Sequence, residues 1–219
     1  MEGVNRMKGF VQGLYTLCEW IMRLAILNIL WVIFTLVGGV VLGLFPSTIS
    51  LFEIARKYQK GEWDTPIFSH FFSAYKKNFL KGNRLGLILI TAGTVLFIDW
   101  HLFSAMNGLP FQVLAALVVV LAILYVIVLL HIFPIYVLHE FTIMQCIKYA
   151  CVLGVYRPLS TIGIGMGGIL LYLIFSTFQP VLFFFGASLT SMVIMWISGN
   201  TIINMKKKST HSFSADKAV

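Results

Sequence analysis

Charge is what this chain lacks. Asp, Glu, Lys and Arg together make up 11% of its 219 residues, where a soluble domain usually carries about 25%. So few charges cannot coat a globule of this size in water, so an ordinary soluble domain is excluded. The 59% of hydrophobic residues point instead to an integral membrane protein. Cysteine is scarce too: Cys18, Cys146 and Cys151 are odd in number and form no CxxC pair, which argues against a disulfide framework or a zinc site and leaves them as small packing residues. Catalytic motifs are missing as well. His139-Glu140 is followed by Ile143 where HExxH needs its second histidine. The run GIGMGG, Gly163 to Gly168, lies in an apolar stretch with no following Lys-Ser/Thr, so it is not a phosphate loop. No nucleophile-base pair or metal set is visible, and neither an enzyme nor a cofactor is expected.

What is present is apolar length. A helix needs about 20 apolar residues to cross the hydrocarbon core. Five stretches qualify, at 20–44, 85–106, 109–138, 159–178 and 180–203. The expected fold is therefore all-α: a polytopic membrane bundle of about five transmembrane helices. The first stretch starts late, is longer than a signal-peptide core and is followed by Phe45-Pro46 rather than a small-residue cleavage site, so it reads as a retained span. Uncharged turns at Asn107–Pro110 and Gln179-Pro180 make tight hairpins of spans two and three and of spans four and five.

Basic residues orient the bundle. Arg56, Lys57, Lys60, Lys76, Lys77, Lys81 and Arg84 lie in the connection 45–84, Lys148 and Arg157 in 139–158, and Lys206, Lys207, Lys208 and Lys217 in the tail 206–219. The positive-inside rule places all three in the cytoplasm. The formal net charge of +8 is thereby explained without nucleic acid, for which no groove module is seen. Five crossings put the amino terminus outside; a sixth, partial insertion near the start would put it inside.

The stretch FPSTISLFEIARKYQKGE, 45 to 62, follows the first span. Pro46 lacks an N–H and restrains Phe45, so it is expected to end or kink the first helix, with Ser47 and Thr48 capping the next. Ile49, Phe52, Ile54, Ala55 and Tyr58 favour one side of that helix, and Glu53, Arg56, Lys57 and Lys60 the other. This spacing predicts an amphipathic helix on the inner membrane surface or packed under the bundle, ending at Gly61. A second such helix is expected to be capped by Asp64 or Thr65, with an aromatic stripe of Phe68, Phe71, Phe72, Tyr75 and Phe79 that dips into lipid or docks a cytoplasmic partner. Residues 139–157 form a third, less charged segment. Span three also nears its end with Phe133-Pro134, so both halves read span, Phe-Pro, surface helix, span, a parallel internal repeat.

Ionisable residues within spans are functional candidates because burying charge is costly. Glu19 and Arg23, spaced i,i+4 at the outer start of span one, should pair. Asp99 and His101 belong at the outer interface beside Trp100, and His131 can stay neutral and bond to a neighbouring helix. Gly39 with Gly43, and Gly163 with Gly167, have the four-residue spacing that lets helices approach.

Several of these residues together resemble the YesL family of bacterial membrane proteins, a domain of unknown function. The likeness rests on Glu19-Trp20, on GLFPST (Gly43 to Thr48) followed by a helix with Arg56, on Gly61-Glu62, on FFxxxKxNF from Phe71 to Phe79, and on Arg157-Pro158. It covers residues 13 to 205, with Ser47 where members often have alanine. The resemblance implies a Gram-positive source and an accessory membrane role beside ATP-driven oligosaccharide importers, with permease and ATPase subunits as partners. It carries over no catalytic residue. Phe45, Pro46, Arg56, Phe71, Phe72, Phe79, Phe133, Pro134, Arg157 and Pro158 remain as structural or docking positions. The rival expectation is a stand-alone transporter or channel, with a homo-oligomer completing its polar path.

Overall fold

The computed structural model describes the backbone of residues 2–139 and 141–216, and side-chain surroundings within 11–139 and 141–202. The side chains of the expected basic tail, 206–219, lie outside the described residues. The described residues form seven helices: α1 (Glu2–Val37), α2 (Val41–Gln59), α3 (Ile67–Ala105), α4 (Leu109–Leu138), α5 (Ile143–Tyr156), α6 (Pro158–Thr177) and α7 (Gln179–Asp216). Five segments are long and apolar enough to cross a membrane: Val11–Val37, Ile67–Ala105, Leu109–Leu138, Pro158–Thr177 and Gln179–Ile202. The all-α polytopic class is thus observed. Helices suit this setting because lipid offers no partner for backbone N–H and C=O groups.

The first break is not where proline suggests. α1 stops at Val37, and the chain reverses through Gly38, Gly39 (φ 72) and Val40 (φ 65). Pro46 lies inside α2 and is buried. Positive φ is open to glycine at little cost, so the Gly-Gly pair, not the proline, turns the chain. Gly39 therefore serves the turn, whereas Gly43 serves close approach: a Cβ there would meet the Thr35 carbonyl of α1. Ser47 and Thr48 do not cap, because α2 has already begun; Thr48 Oγ1 instead donates to Leu44 O at 2.7 Å.

α2 returns alongside α1, with Trp31 Nε1 donating to Thr48 Oγ1 at 3.1 Å. It is an interior helix rather than a surface one. Ile49, Ser50, Leu51, Phe52, Ile54, Ala55 and Tyr58 are all buried, since α1, α3, α4 and α7 pack around it.

α3 merges two expected elements, the aromatic surface helix and span two, into one rod of 39 residues. Its N-cap is Pro66, with no side-chain cap bond; Thr65 Oγ1 bonds back to Glu62 O. The aromatic stripe divides. Phe71 and Tyr75 are buried and Phe79 half-buried, while Phe68 and Phe72 are exposed. Phe34 of α1 meets Phe71 at 5.3 Å and Tyr75 at 5.0 Å between ring centroids.

Pro134 is likewise buried within its helix, and α4 continues to Leu138. Here the break comes afterwards. α5 then starts from a capping box of Thr142 and Gln145, which satisfies orphan N–H groups reciprocally. α5 buries only Cys146, Ala150, Leu153 and Gly154.

Three clusters fill the interior: α1–α2–α3 around Phe71, α3–α4–α5 around Ile132, and α2–α4–α7 around Phe52 and Met195. Lipid is as apolar as a leucine core, so close packing and polar bonds must set helix partners. Asn28 of α1 shows how. Its amide donates to Phe183 O and accepts from Ala187 N at 2.9 Å. Those two groups are i,i+4 along α7, the pair an uninterrupted helix joins to itself, so Asn28 inserts into the α7 ladder.

Candidate functional site

The charged residues converge at one end of the bundle. On α2 and its C-cap, Glu53, Arg56, Lys57 and Lys60 fall at i, i+3, i+4 and i+7, which is one helix face. That face meets Lys77, Asn78 and Lys81 of α3 and the last turn of α4, Tyr136 to Leu138. With Glu62, His139 and Phe141 they enclose a half-open cleft of about 600 Å³. Five cations against two carboxylates (5 − 2) leave this lining at +3. Among the described residues the Glu19–Arg23 bridge is the one ion pair, at 2.6 Å, and it lies outside the cleft.

Each wall has a local cause. The last four carbonyls of a helix lack intrahelical donors and carry partial negative charge. Arg56 Nη1 donates to one of them, Val137 O of α4. Its Nε stays buried without a partner. Asn78 is the hub of the floor: its amide donates to Glu53 Oε1 at 2.8 Å and to Ala74 O at 2.9 Å, and it accepts from Tyr136 Oη at 3.2 Å. This chain of bonds joins α2, α3 and α4 and holds Glu53 against the floor. The arrangement can bind an anion.

Beside the cleft lies an apolar groove of about 360 Å³, lined by Ile135, Tyr149, Val152, Leu153 and Ile202. His139 and Phe141 line both cavities. Phe141 stacks on His139 and on Tyr149, at 4.7 Å in each case.

The other expected residues scatter. Phe45 and Phe133 of the two Phe-Pro pairs stack at 6.5 Å, and Phe52 completes the group at 5.5 Å from Phe133. Gly86 backs onto the Phe45 ring, where no Cβ would fit. Arg157 ends α5 and Pro158 opens α6. Asp99 and His101 stand in the opposite part of α3, where His101 Nδ1 bonds to Phe97 O at 2.9 Å.

Glu19 and Arg23 pair as expected, but their place differs. Arg23 also donates to Trp63 O in the α2–α3 connection, and Trp20 packs on Trp63 at 4.2 Å. Trp20 further lines a small cavity with Gln59 and Trp196. The expectation that this pair stands at the end of the bundle away from the basic connections is therefore not met. The reason is the early reversal at Gly38–Val40, which brings α2 back down the length of α1.

His131 is buried as a hydrogen-bonded node. Its ring nitrogens meet Ser198 Oγ at 3.3 Å and Thr161 Oγ1 at 3.1 Å, and Thr161 donates onward to Gly154 O. Among the described residues no group of three or more His, Cys, Asp or Glu could hold a metal. The sequence put Lys57 and Lys60 with Glu53 and Arg56 on one polar helix face, and Lys77 and Lys81 in the same basic connection, but gave no sign that the two sets line one cavity.

The family model described as "Protein of unknown function, DUF624" matches residues 24–100. The chain is 38% identical to the uncharacterized protein YesV of Bacillus subtilis (strain 168) over 193 residues, covering 85% of this chain and 89% of that protein. It is 35% identical to the uncharacterized protein YesL of the same organism over 198 residues, or 90% and 92% of the two chains. The uncharacterized protein YteU, also of that organism, is 30% identical over 180 residues, or 82% and 81%. No solved structure matches the chain significantly. Full-length likeness at this level, together with the helical bundle, makes this chain a multi-pass membrane protein that belongs to the DUF624 family.

Proposed function

We propose that this chain is a non-catalytic accessory component of an ATP-driven oligosaccharide importer, with its basic end in the cytoplasm and available to permease or ATPase subunits. One observation carries the reading: five cations with no ion pair among the described residues gather at one end of a bundle whose exterior is otherwise largely apolar. Such an end suits association with an aqueous or membrane partner. The family's expected setting beside sugar importers supplies the kind of partner. The positive-inside rule supports the side, and the Arg23–Trp63 contact supports the start of the α1 span lying at the same end of the bundle.

Gentle detergent extraction of a tagged chain, from cells grown on a plant polysaccharide, tests the association. Co-purification of permease and ATPase subunits is the expected result. Recovery of a lone homo-oligomer that conducts solute in liposomes reverses the ranking in favour of a stand-alone transporter. Topology is tested separately in a cysteine-free background. Asn5→Cys and Glu62→Cys should both resist impermeant labelling of intact cells, whereas Asn107→Cys should react.

A further inference from the structure

We propose that the basic cleft and the apolar groove beside it form one site for an anionic phospholipid, with the phosphate among the lysines and an acyl chain in the groove. Three observations carry this. The first is charge. Lys57, Lys60, Lys77 and Lys81 line a half-open cavity without an ion pair among the described residues, and Arg56 Nε is buried beside them without a partner. Like charges held together repel unless a counter-charge sits between them. Basic pockets between membrane helices are suited to lipid headgroups.

The second is continuity. The groove of Ile135, Val152, Leu153 and Ile202 shares the walls His139 and Phe141 with the cleft. A ligand charged at one end and apolar at the other fits across that shared wall; a free phosphate would use the cleft alone. The volumes of about 600 and 360 Å³ lie in the range of small-ligand sites. The third is what the wall refuses. Phe141 is already stacked on His139 and on Tyr149, at 4.7 Å in each case. Its ring is thus engaged within the protein, which disfavours a nucleobase, and so a nucleotide, as the phosphate carrier.

The test uses the full chain, purified in neutral detergent and stripped of lipid, with no importer subunit present. Its failure therefore leaves the accessory role standing. Binding of phosphatidylglycerol is measured by native mass spectrometry and fluorescence titration against phosphatidylcholine, glycerophosphate and inorganic phosphate. Saturable binding of one phosphatidylglycerol, selective over phosphatidylcholine, is expected. The paired substitution Lys77→Gln and Lys81→Gln should weaken it roughly 25-fold, at about fivefold per lysine, while Lys77→Arg with Lys81→Arg retains it. Val152→Trp, at an exposed position of the groove wall, should weaken the lipid and leave inorganic phosphate unaffected. Equal affinity for both lipids overturns the proposal. So does binding of inorganic phosphate as tight as that of the lipid, or displacement of the lipid by an acidic peptide that binds more tightly. Unchanged thermal stability of the lysine variants guards against a folding artefact.

Discussion

The two Phe-Pro pairs stand in matching places of an apparent repeat, yet the chain uses them in opposite ways. At Phe45-Pro46 the break comes before the pair, at Gly38–Val40, and the proline rides near the start of α2. At Phe133-Pro134 the break comes after the pair, and the proline rides near the end of α4. The helix that carries the first pair is walled in by four others, while α5, which follows the second pair, buries a single side. Yet the two phenylalanines meet face to face between α2 and α4. The difference teaches that proline does not terminate these helices. Each proline forgoes one intrahelical N–H bond, and its buried ring contacts offset that loss. Where the chain turns depends on residues that tolerate positive φ or cap a new helix.

The sharpest way to break the comparison is at its glycines. A Cβ on Gly43 would strike the Thr35 backbone, whereas one on Gly154 would strike the side chain of Ile127, which can rotate. Gly43→Ala should therefore cost about 3 kcal/mol and Gly154→Ala about 1 kcal/mol, read as loss of folded yield and melting temperature in detergent. Similar losses would show the two halves to be equally tight. Next comes the joint between the halves. Asn78→Ala leaves Glu53 and Tyr136 without a partner and should cost about 2 kcal/mol. Tyr136→Phe should cost about 1 kcal/mol and add little to Asn78→Ala, a coupling that a double-mutant cycle measures.

Smaller effects follow at the prolines. Pro46→Ala and Pro134→Ala each regain an N–H bond and lose buried ring contacts, so each should change stability by less than about 1 kcal/mol. Protease access to the α2–α3 connection should be unchanged. A large change at Pro46 alone would restore it as the hinge. The smallest test concerns α5. Cys146 is buried and Cys151 half-buried, and burial pushes the Cys146 thiol above its ordinary range. Since the thiolate reacts, Cys151 should be alkylated first near neutral pH, and Cys146 should need a higher pH or denaturant.

Legibility differed along the chain for physical reasons. α4 was predicted at 109–138 and occupies Leu109–Leu138, because an unbroken apolar run bounded by Gly108-Leu109-Pro110 admits little else. The Glu19–Arg23 pair followed from spacing alone, since i,i+4 neighbours meet on any helix. The reversal at Gly38–Val40 was missed because a glycine pair in an apolar run has the same local signature whether it turns the chain or packs it. The surface reading of α2 failed similarly. Its residues alternate as an amphipathic helix does, but the side with Glu53, Arg56, Lys57 and Lys60 faces the half-open cleft, while small Gly43, Ser47 and Ser50 let neighbours close over the rest. The cleft was half legible: every cation was counted, but none could be assigned to a common cavity.

Sequence by itself determined the solvent, the class and the charge bias. Runs of apolar residues have one stable home, and helices are the form that satisfies their backbone there. Tertiary structure alone decided which ends meet: that the start of the α1 span lies beside the α2–α3 connection, that Arg56 caps α4, and that lysines from two helices face one cavity. These facts depend on close contacts between residues far apart in the chain, and periodicity within a single helix carries no information about its neighbours.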